Sequence, residues 1–117
     1  MSRLKQLLVI RKDLNMSIGK LIAQAVHASQ RSGEVPDYTA TRMPACIVVY
    51  VKTEKALLKL QAKCDDIGIP NGLQRDGGRT ELPVDTITAL SIGPAVEEEV
   101  DKIGSRLQVV KGRILWD

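Results

Sequence analysis

A chain of 117 residues with 44% hydrophobic and 26% charged side chains has the size and composition of one globular domain with an ordinary core. No apolar run approaches the roughly 20 residues needed to cross a bilayer, and the amino terminus lacks the apolar stretch and small-residue cleavage site of a signal peptide. The net charge of +3 hides a split: Arg3, Lys5, Arg11, Lys12, Lys20 and Arg31 are opposed only by Asp13 over residues 1–31, whereas acids dominate residues 65–101.

A basic end of this kind suits a phosphate or polyanion partner. With no Phe and only Tyr38, Tyr50 and Trp116 as aromatics, an aromatic platform for stacking bases is not expected. Nucleic acid would therefore be held through its phosphates and sugars. Cys46 and Cys64 match no metal-ligand or CxxC spacing. They read as buried or partly buried free thiols, as in a reducing cytoplasm.

Residues 7–10 are continuously apolar and partly β-branched, as expected of a buried strand. The pattern breaks at residues 13–15 and resumes with helical spacing from Ile18, so Ser17-Ile18-Gly19-Lys20 opens a helix directly after a strand. In open α/β sheets that junction is where ligands bind. Lys20 in a first helical turn opposes the macrodipole, at a cost of roughly 0.3–1 kcal/mol, and so predicts an anion facing it. Lys20, Gln24, His27 and Arg31 share one helical face. Ile18, Ile22, Ala25, Val26 and Ser29 lie on or near the opposite face, which reads as the core side.

Residues 32–44 are irregular, punctuated by Gly33, Pro36 and Pro44, and read as a lid or binding loop, or else as a merely mobile one. Residues 46–51 form a second buried strand. Thr53 caps a helix over residues 54–66, with Ala56, Leu57, Leu60 and Cys64 on one face, and Gly68 ends it. Residues 69–75 are a short edge strand, and Asp76-Gly77-Gly78-Arg79-Thr80 is a turn whose glycines permit unusual backbone angles. Residues 86–92 read as a central strand ended by Gly93-Pro94. Pro94 at the first helical position and the acids 97–99 predict a helix to Ile103. Residues 107–110 are a short strand, and residues 111–117 a ragged end. The alternation gives an α/β fold, one domain over residues 1–117, with a mixed sheet covered by helices on both faces and right-handed crossovers.

Several chemistries are absent from the sequence. There is no GxxxxGK[ST] or GxGxxG, so a nucleoside-triphosphate enzyme has no support. There is no GxSxG elbow, and a single histidine without a ligand cluster offers no metal site. What remains is Lys20, His27, Asp76 and Thr80, a set suited to activating water. Taken separately, Asp76 reads equally well as a turn aspartate bonding its own backbone, His27 as a packed helical residue, and Arg79 with Glu81 as a surface ion pair.

Arg11-x-Asp13-Leu14-x-Met16-Ser17-x-Gly19-Lys20-x-x-Ala23-Gln24-x-x-His27-Ala28 resembles the amino-terminal signature of the type II (archaeal/eukaryotic-class) peptidyl-tRNA hydrolases. Asp76-Gly77-Gly78-Arg79-Thr80 is similar to that family's Asp-Ala-Gly-Arg-Thr turn, and Leu90-Ser91-Ile92-Gly93-Pro94 to its Leu-Gly-Ile-Gly-Pro strand end. The resemblance spans nearly the whole chain. It implies a mixed four-stranded sheet and a cytoplasmic esterase that frees tRNA from a peptide joined to its 3′ ribose, with no cofactor and no metal. Carried over position by position, it makes Lys20, His27, Asp76 and Thr80 catalytic, with Asp76 or His27 as the base. Gln24 and Arg79 carry over as their neighbours. On charge, the basic residues Arg3, Lys5, Arg11, Lys12 and Arg31 would hold the acceptor stem through its phosphates, and Ser17 at the helix start joins the substrate-binding set. The partners expected are peptidyl-tRNA and a second copy of the chain, without a membrane. Two departures stand out: Gly77 replaces the usual alanine, loosening the turn, and residues 32–44 are short and proline-broken where the family has more helix. A module that keeps the fold but only binds an RNA end or a protein is the rival reading.

Overall fold

The computed structural model describes residues 3–33 and 43–111. The chain runs β1 (Leu4–Arg11), a 3-10 turn (Lys12–Leu14), α1 (Ile18–Arg31), β2 (Ala45–Val51), α2 (Glu54–Ile67), β3 (Asn71–Arg75), β4 (Ile87–Val96), α3 (Glu97–Gly104) and β5 (Gln108–Val109). The loop expected over residues 32–44 falls mostly, and the ragged end mostly, outside the described residues.

The strands form one sheet in the order β3-β4-β1-β2-β5. β1 and β2 are parallel, while β1–β4, β3–β4 and β2–β5 are antiparallel. The sheet is mixed, as expected, but it has five strands rather than four. The fifth, β5, is only two residues long and pairs with Val49 and Tyr50 of β2. The step from β1 to β2 passes over one face through α1. The step from β2 back to β3 passes over the other face through α2. Opposite directions on opposite faces give the two crossovers the same hand.

Those two faces differ in chemistry. On the side of α2 and α3, Leu7 and Val9 pack with Val49, Val51, Leu57, Leu60, Cys64, Leu90, Ile92 and Val100 into a continuous apolar core. Burying a Leu or Val of this kind contributes roughly 1.5–3 kcal/mol each. Alternation along β1 turns Gln6 to the other side, where its amide donates to Ser29 of α1 at 2.8 Å and to Ser91 of β4 at 3.0 Å. Among the described residues, the six buried polar ones (Gln6, Gln24, Gln74, Asp76, Thr88 and Ser91) all belong to this second layer between α1 and the sheet. Among the described residues, no buried side-chain nitrogen or oxygen there lacks a partner.

This layering corrects the reading of α1. Its buried residues are Gln24, Ala25 and Ala28, while Ile22 and Val26 are exposed at 55% and 47%. Small Ala28 and Gly72 allow the close approach. A Cβ on Gly72 would stand 2.4 Å from the Ala28 carbonyl oxygen and 2.6 Å from the Arg31 backbone.

At the other end of the chain, Pro94 does not start α3. β4 continues through a cis Gly93–Pro94 bond to Val96, pairing Ala95 and Val96 with Lys5 and Leu4. Of the thiols, Cys64 is buried and pushed up to about 11, mainly by that burial, whereas Cys46 is exposed.

Candidate active site

The junction after β1 is built by local capping. Ser17 caps α1, its hydroxyl accepting the Lys20 backbone N–H at 3.4 Å. The same serine donates its backbone N–H (3.1 Å) and its hydroxyl to the carboxylate of Glu81. These bonds hold the Glu81 carboxyl below the ordinary value for glutamate. Glu81 thus ties the loop of residues 77–86 to the start of α1. The neck of that loop is closed by Asp76 N–H to Thr86 O (2.8 Å) and Asp85 N–H to Asp76 O (2.7 Å). Gly78 has φ +76° and lies against Val84, where any Cβ would come within 2.7 Å of backbone. Gly77 has open space around it.

The anion that faces Lys20 is Asp76. Lys20 Nζ lies 2.5 Å from Asp76 Oδ1 and donates to Thr80 Oγ1 at 2.7 Å. The carboxylate is 3% exposed, and the ammonium side chain 12%. Gln24 Nε2 donates to the same Oδ1 at 3.4 Å, and the Gly78 N–H to Oδ2 at 3.0 Å. The bond from Lys20 is the largest influence on the Asp76 carboxyl and holds it below the usual carboxylate range. Burial acts the other way, and the Gly78 and Gly77 N–H groups reinforce the lysine. A carboxylate gripped by three donors is a weak proton acceptor but a firm anchor.

Behind it, the Thr88 hydroxyl donates to Gln24 Oε1 at 2.5 Å. That bond fixes which end of the Gln24 amide faces Asp76. Gln24 is 4% exposed and lines the floor of the site, where its amide braces Asp76.

A cleft of about 410 Å³ opens over this group, lined by Lys20, Gln24, His27, Asp76, Arg79 and Thr80 among others. The cleft thus brings together the four side chains read as catalytic and two of those read as substrate-binding. His27 is exposed on its wall, with Nδ1 3.3 Å from Gln30 Oε1. If Nδ1 carries the proton for that contact, Nε2 is left as an acceptor. Glu81 goes to Ser17, and among the described residues no carboxylate pairs with Arg79.

Other binding candidates sit elsewhere. Arg11 is held by Asp13 (2.7 Å) and by the Ile87 carbonyl (2.9 Å), and Arg31 donates to Gln74 at 2.7 Å. Lys5 is paired with Asp101 at 2.6 Å. Arg11 and Lys5 are therefore neutralised within the fold, whereas Arg31, bonded to a neutral amide, keeps its charge. Lys12 stands over the Tyr50 ring, 4.8 Å from its centroid, beside a different hollow. The sequence missed Thr88 and Glu81. Glu81 was read only as an ion-pair partner of Arg79, and Thr88 only as one polar residue of a central strand; the packing of α1 gives both their roles. Among the described residues no three of His, Cys, Asp and Glu converge as a metal-binding group.

A family model described as peptidyl-tRNA hydrolase PTH2 matches residues 4–110. A peptidyl-tRNA hydrolase of Thermococcus onnurineus is 40% identical over 118 aligned residues, covering 94% of this chain and 100% of that one. Those of Halobacterium salinarum (39%, covering 91% and 99%) and Methanothermobacter thermautotrophicus (37%, covering 92% and 100%) are similar to it as well. A solved structure of a protein of unknown function from Agrobacterium tumefaciens strain C58 superposes with a TM-score of 0.64 at 15% identity. It covers 95% of this chain and 100% of its own, a likeness of fold alone.

Proposed function

The chain belongs to the peptidyl-tRNA hydrolase PTH2 family, and we propose that the cleft at the head of α1 is where it carries out that family's reaction. It is an ester hydrolase: the bond cut joins the carboxyl carbon of a peptide to the 3′ ribose oxygen of tRNA. The observation that carries the assignment of the site is the buried Lys20–Asp76 pair, with Thr80 on the same ammonium, at the floor of an open cleft.

Chemistry follows from how those donors are committed. Two of the three N–H bonds of Lys20 are used, by Asp76 and Thr80, and the third is available to the oxygen that becomes negative when water attacks the ester carbonyl. Asp76 serves as the fixed counter-charge that keeps this ammonium in place. Thr80 accepts from Lys20, which leaves its own hydroxyl proton to orient the attacking water or the ribose. His27 Nε2 takes the proton of that water and returns it to the departing ribose oxygen. Exposed Arg79 at the rim suits a phosphate of the tRNA 3′ end.

This reading places the protein in the cytoplasm, where charged tRNA is used. Assembly as a homodimer, the other partner expected, would draw on apolar side chains left outside the fold, such as Ile22 and Val26. Sedimentation velocity, giving the mass of one chain or two, tests it.

The direct test is incubation of the purified protein with N-blocked aminoacyl-tRNA. Release of the blocked amino acid is expected, falling sharply in Asp76→Asn and His27→Asn. Binding without release in the parent protein would leave only an RNA-binding module. Release from small esters irrespective of the tRNA would make it a general esterase.

A further inference from the structure

β1 and β2 are adjacent and parallel, and the chain leaves them toward opposite faces, into α1 and into α2. Where neighbouring parallel strands part in this way, a crevice forms outside their carboxyl ends, and ligands bind there. Here that crevice is a hollow of about 230 Å³ that shares no lining residue with the catalytic cleft. Its lining includes apolar Ile10, Met16 and Leu21, the Tyr50 ring, the Asn15 side chain and two lysines, Lys12 and Lys111. Arg11 also borders it, but that charge is cancelled by Asp13. Lys12 is exposed, and among the described residues no carboxylate pairs with it; the Tyr50 ring beneath it steadies the ammonium without neutralising it.

We propose that this hollow is a second subsite for the same substrate. In it, an unpaired nucleotide just upstream of the terminal ribose places its phosphate on Lys12, with Lys111 beside it, and its sugar and base against the apolar wall. The proposal rests on the reading of the catalytic cleft as the place of ester cleavage. The two hollows flank the first turn of α1, with Lys20 on one side and Leu21 on the other. One helix is about 10 Å across, a span that a single strand of RNA bridges. A cation set on an apolar wall matches a nucleotide better than it matches a simple anion, which needs no wall, or a peptide, which needs no cation.

The experiment measures equilibrium binding of deacylated tRNA, and of a trinucleotide matching its 3′ end, over a salt series. It compares the parent with Lys12→Gln, Lys12→Arg and Lys63→Gln, the last removing an exposed charge from α2. One single-strand phosphate contact contributes about 0.7 to the slope of log K against log salt, or about fivefold in affinity at 0.1 M salt. Lys12→Gln is expected to lose that much slope and affinity for both RNAs, while Lys12→Arg and Lys63→Gln keep the parent slope. An unchanged slope in Lys12→Gln, or an equal loss in Lys63→Gln, overturns the subsite. Binding is read without turnover, so a parent that loses slope in Lys12→Gln yet hydrolyses nothing refutes the catalytic reading and not this one. A parent that hydrolyses but is blind to Lys12 refutes only the subsite.

Discussion

Gln24 is where two roles for one side chain can be separated by a single substitution, Gln24→Leu. As a substrate contact, its loss would raise KM and leave the fold alone. The structure instead puts the amide between Thr88 and Asp76, at 2.5 Å and 3.4 Å. Thr88 is fully buried, and its fallback acceptor is the Gln74 carbonyl at 3.4 Å. A buried hydroxyl deprived of its main partner costs about 1–3 kcal/mol. The long bond to Asp76 adds little, and the better burial of Leu returns part of the loss. A net destabilisation of about 2 kcal/mol, or roughly 8 °C in Tm, is expected from the usual scaling for a domain of this size. With Asp76 less firmly held, kcat falls about tenfold while KM stays near the parent value, the pattern of a loss felt in the transition state. Thermal melts and steady-state hydrolysis of N-blocked aminoacyl-tRNA measure both. A raised KM with kcat and Tm unaltered would refute the supporting role.

Gly72→Ala should destabilise by about 3 kcal/mol or more in denaturant titration, because the new methyl meets α1 backbone that can yield only by moving the helix. Gly77→Ala should do the reverse, gaining about 0.4–1 kcal/mol, since its surroundings are open and its backbone is not left-handed. Glu81→Ala frees the 77–86 loop from Ser17, and kcat should fall by as much as about 100-fold, the cost of a 1 Å misplacement of Thr80. The Asp76 carboxyl is held below its ordinary value of 3.8, so its ionised form stabilises the fold above that pH and the benefit is lost as pH falls through the lowered value. The stability gap between the parent and Asp76→Asn should therefore be widest near neutral pH and close in strong acid, as urea titrations across pH would record.

The sequence was legible where a single residue sets local geometry. Ser17 caps α1, Thr53 caps α2 with its hydroxyl 3.1 Å from the Ala56 N–H, and Gly68 ends α2 at φ 75°. The misplaced charge of Lys20 called for an anion, and Asp76 supplies it 56 residues away in the chain. What could not be read was the polar layer. Hydrophobic periodicity assigns Ile22 and Val26 to the core because it assumes an apolar sheet beneath the helix. Here the sheet face presents Gln6, Gln74, Thr88 and Ser91, so the helix turns Gln24 inward instead. The short strand read at residues 107–110 is β5, so it was the count implied by the resemblance, not the residues, that left out the fifth strand. Pro94 looked like a helix start because the pairing of Ala95 and Val96 with β1 just beyond it is invisible in one dimension.

The central claim, that the Lys20 ammonium held by Asp76 stabilises the charge formed in ester cleavage, is tested most directly by Lys20→Met. Single-turnover hydrolysis of N-blocked aminoacyl-tRNA should slow by about 100- to 1000-fold, the range for one oxyanion donor, in a protein that still folds and binds tRNA. A folded Lys20→Met protein that cleaves within about threefold of the parent rate, well short of one donor's contribution, would contradict it.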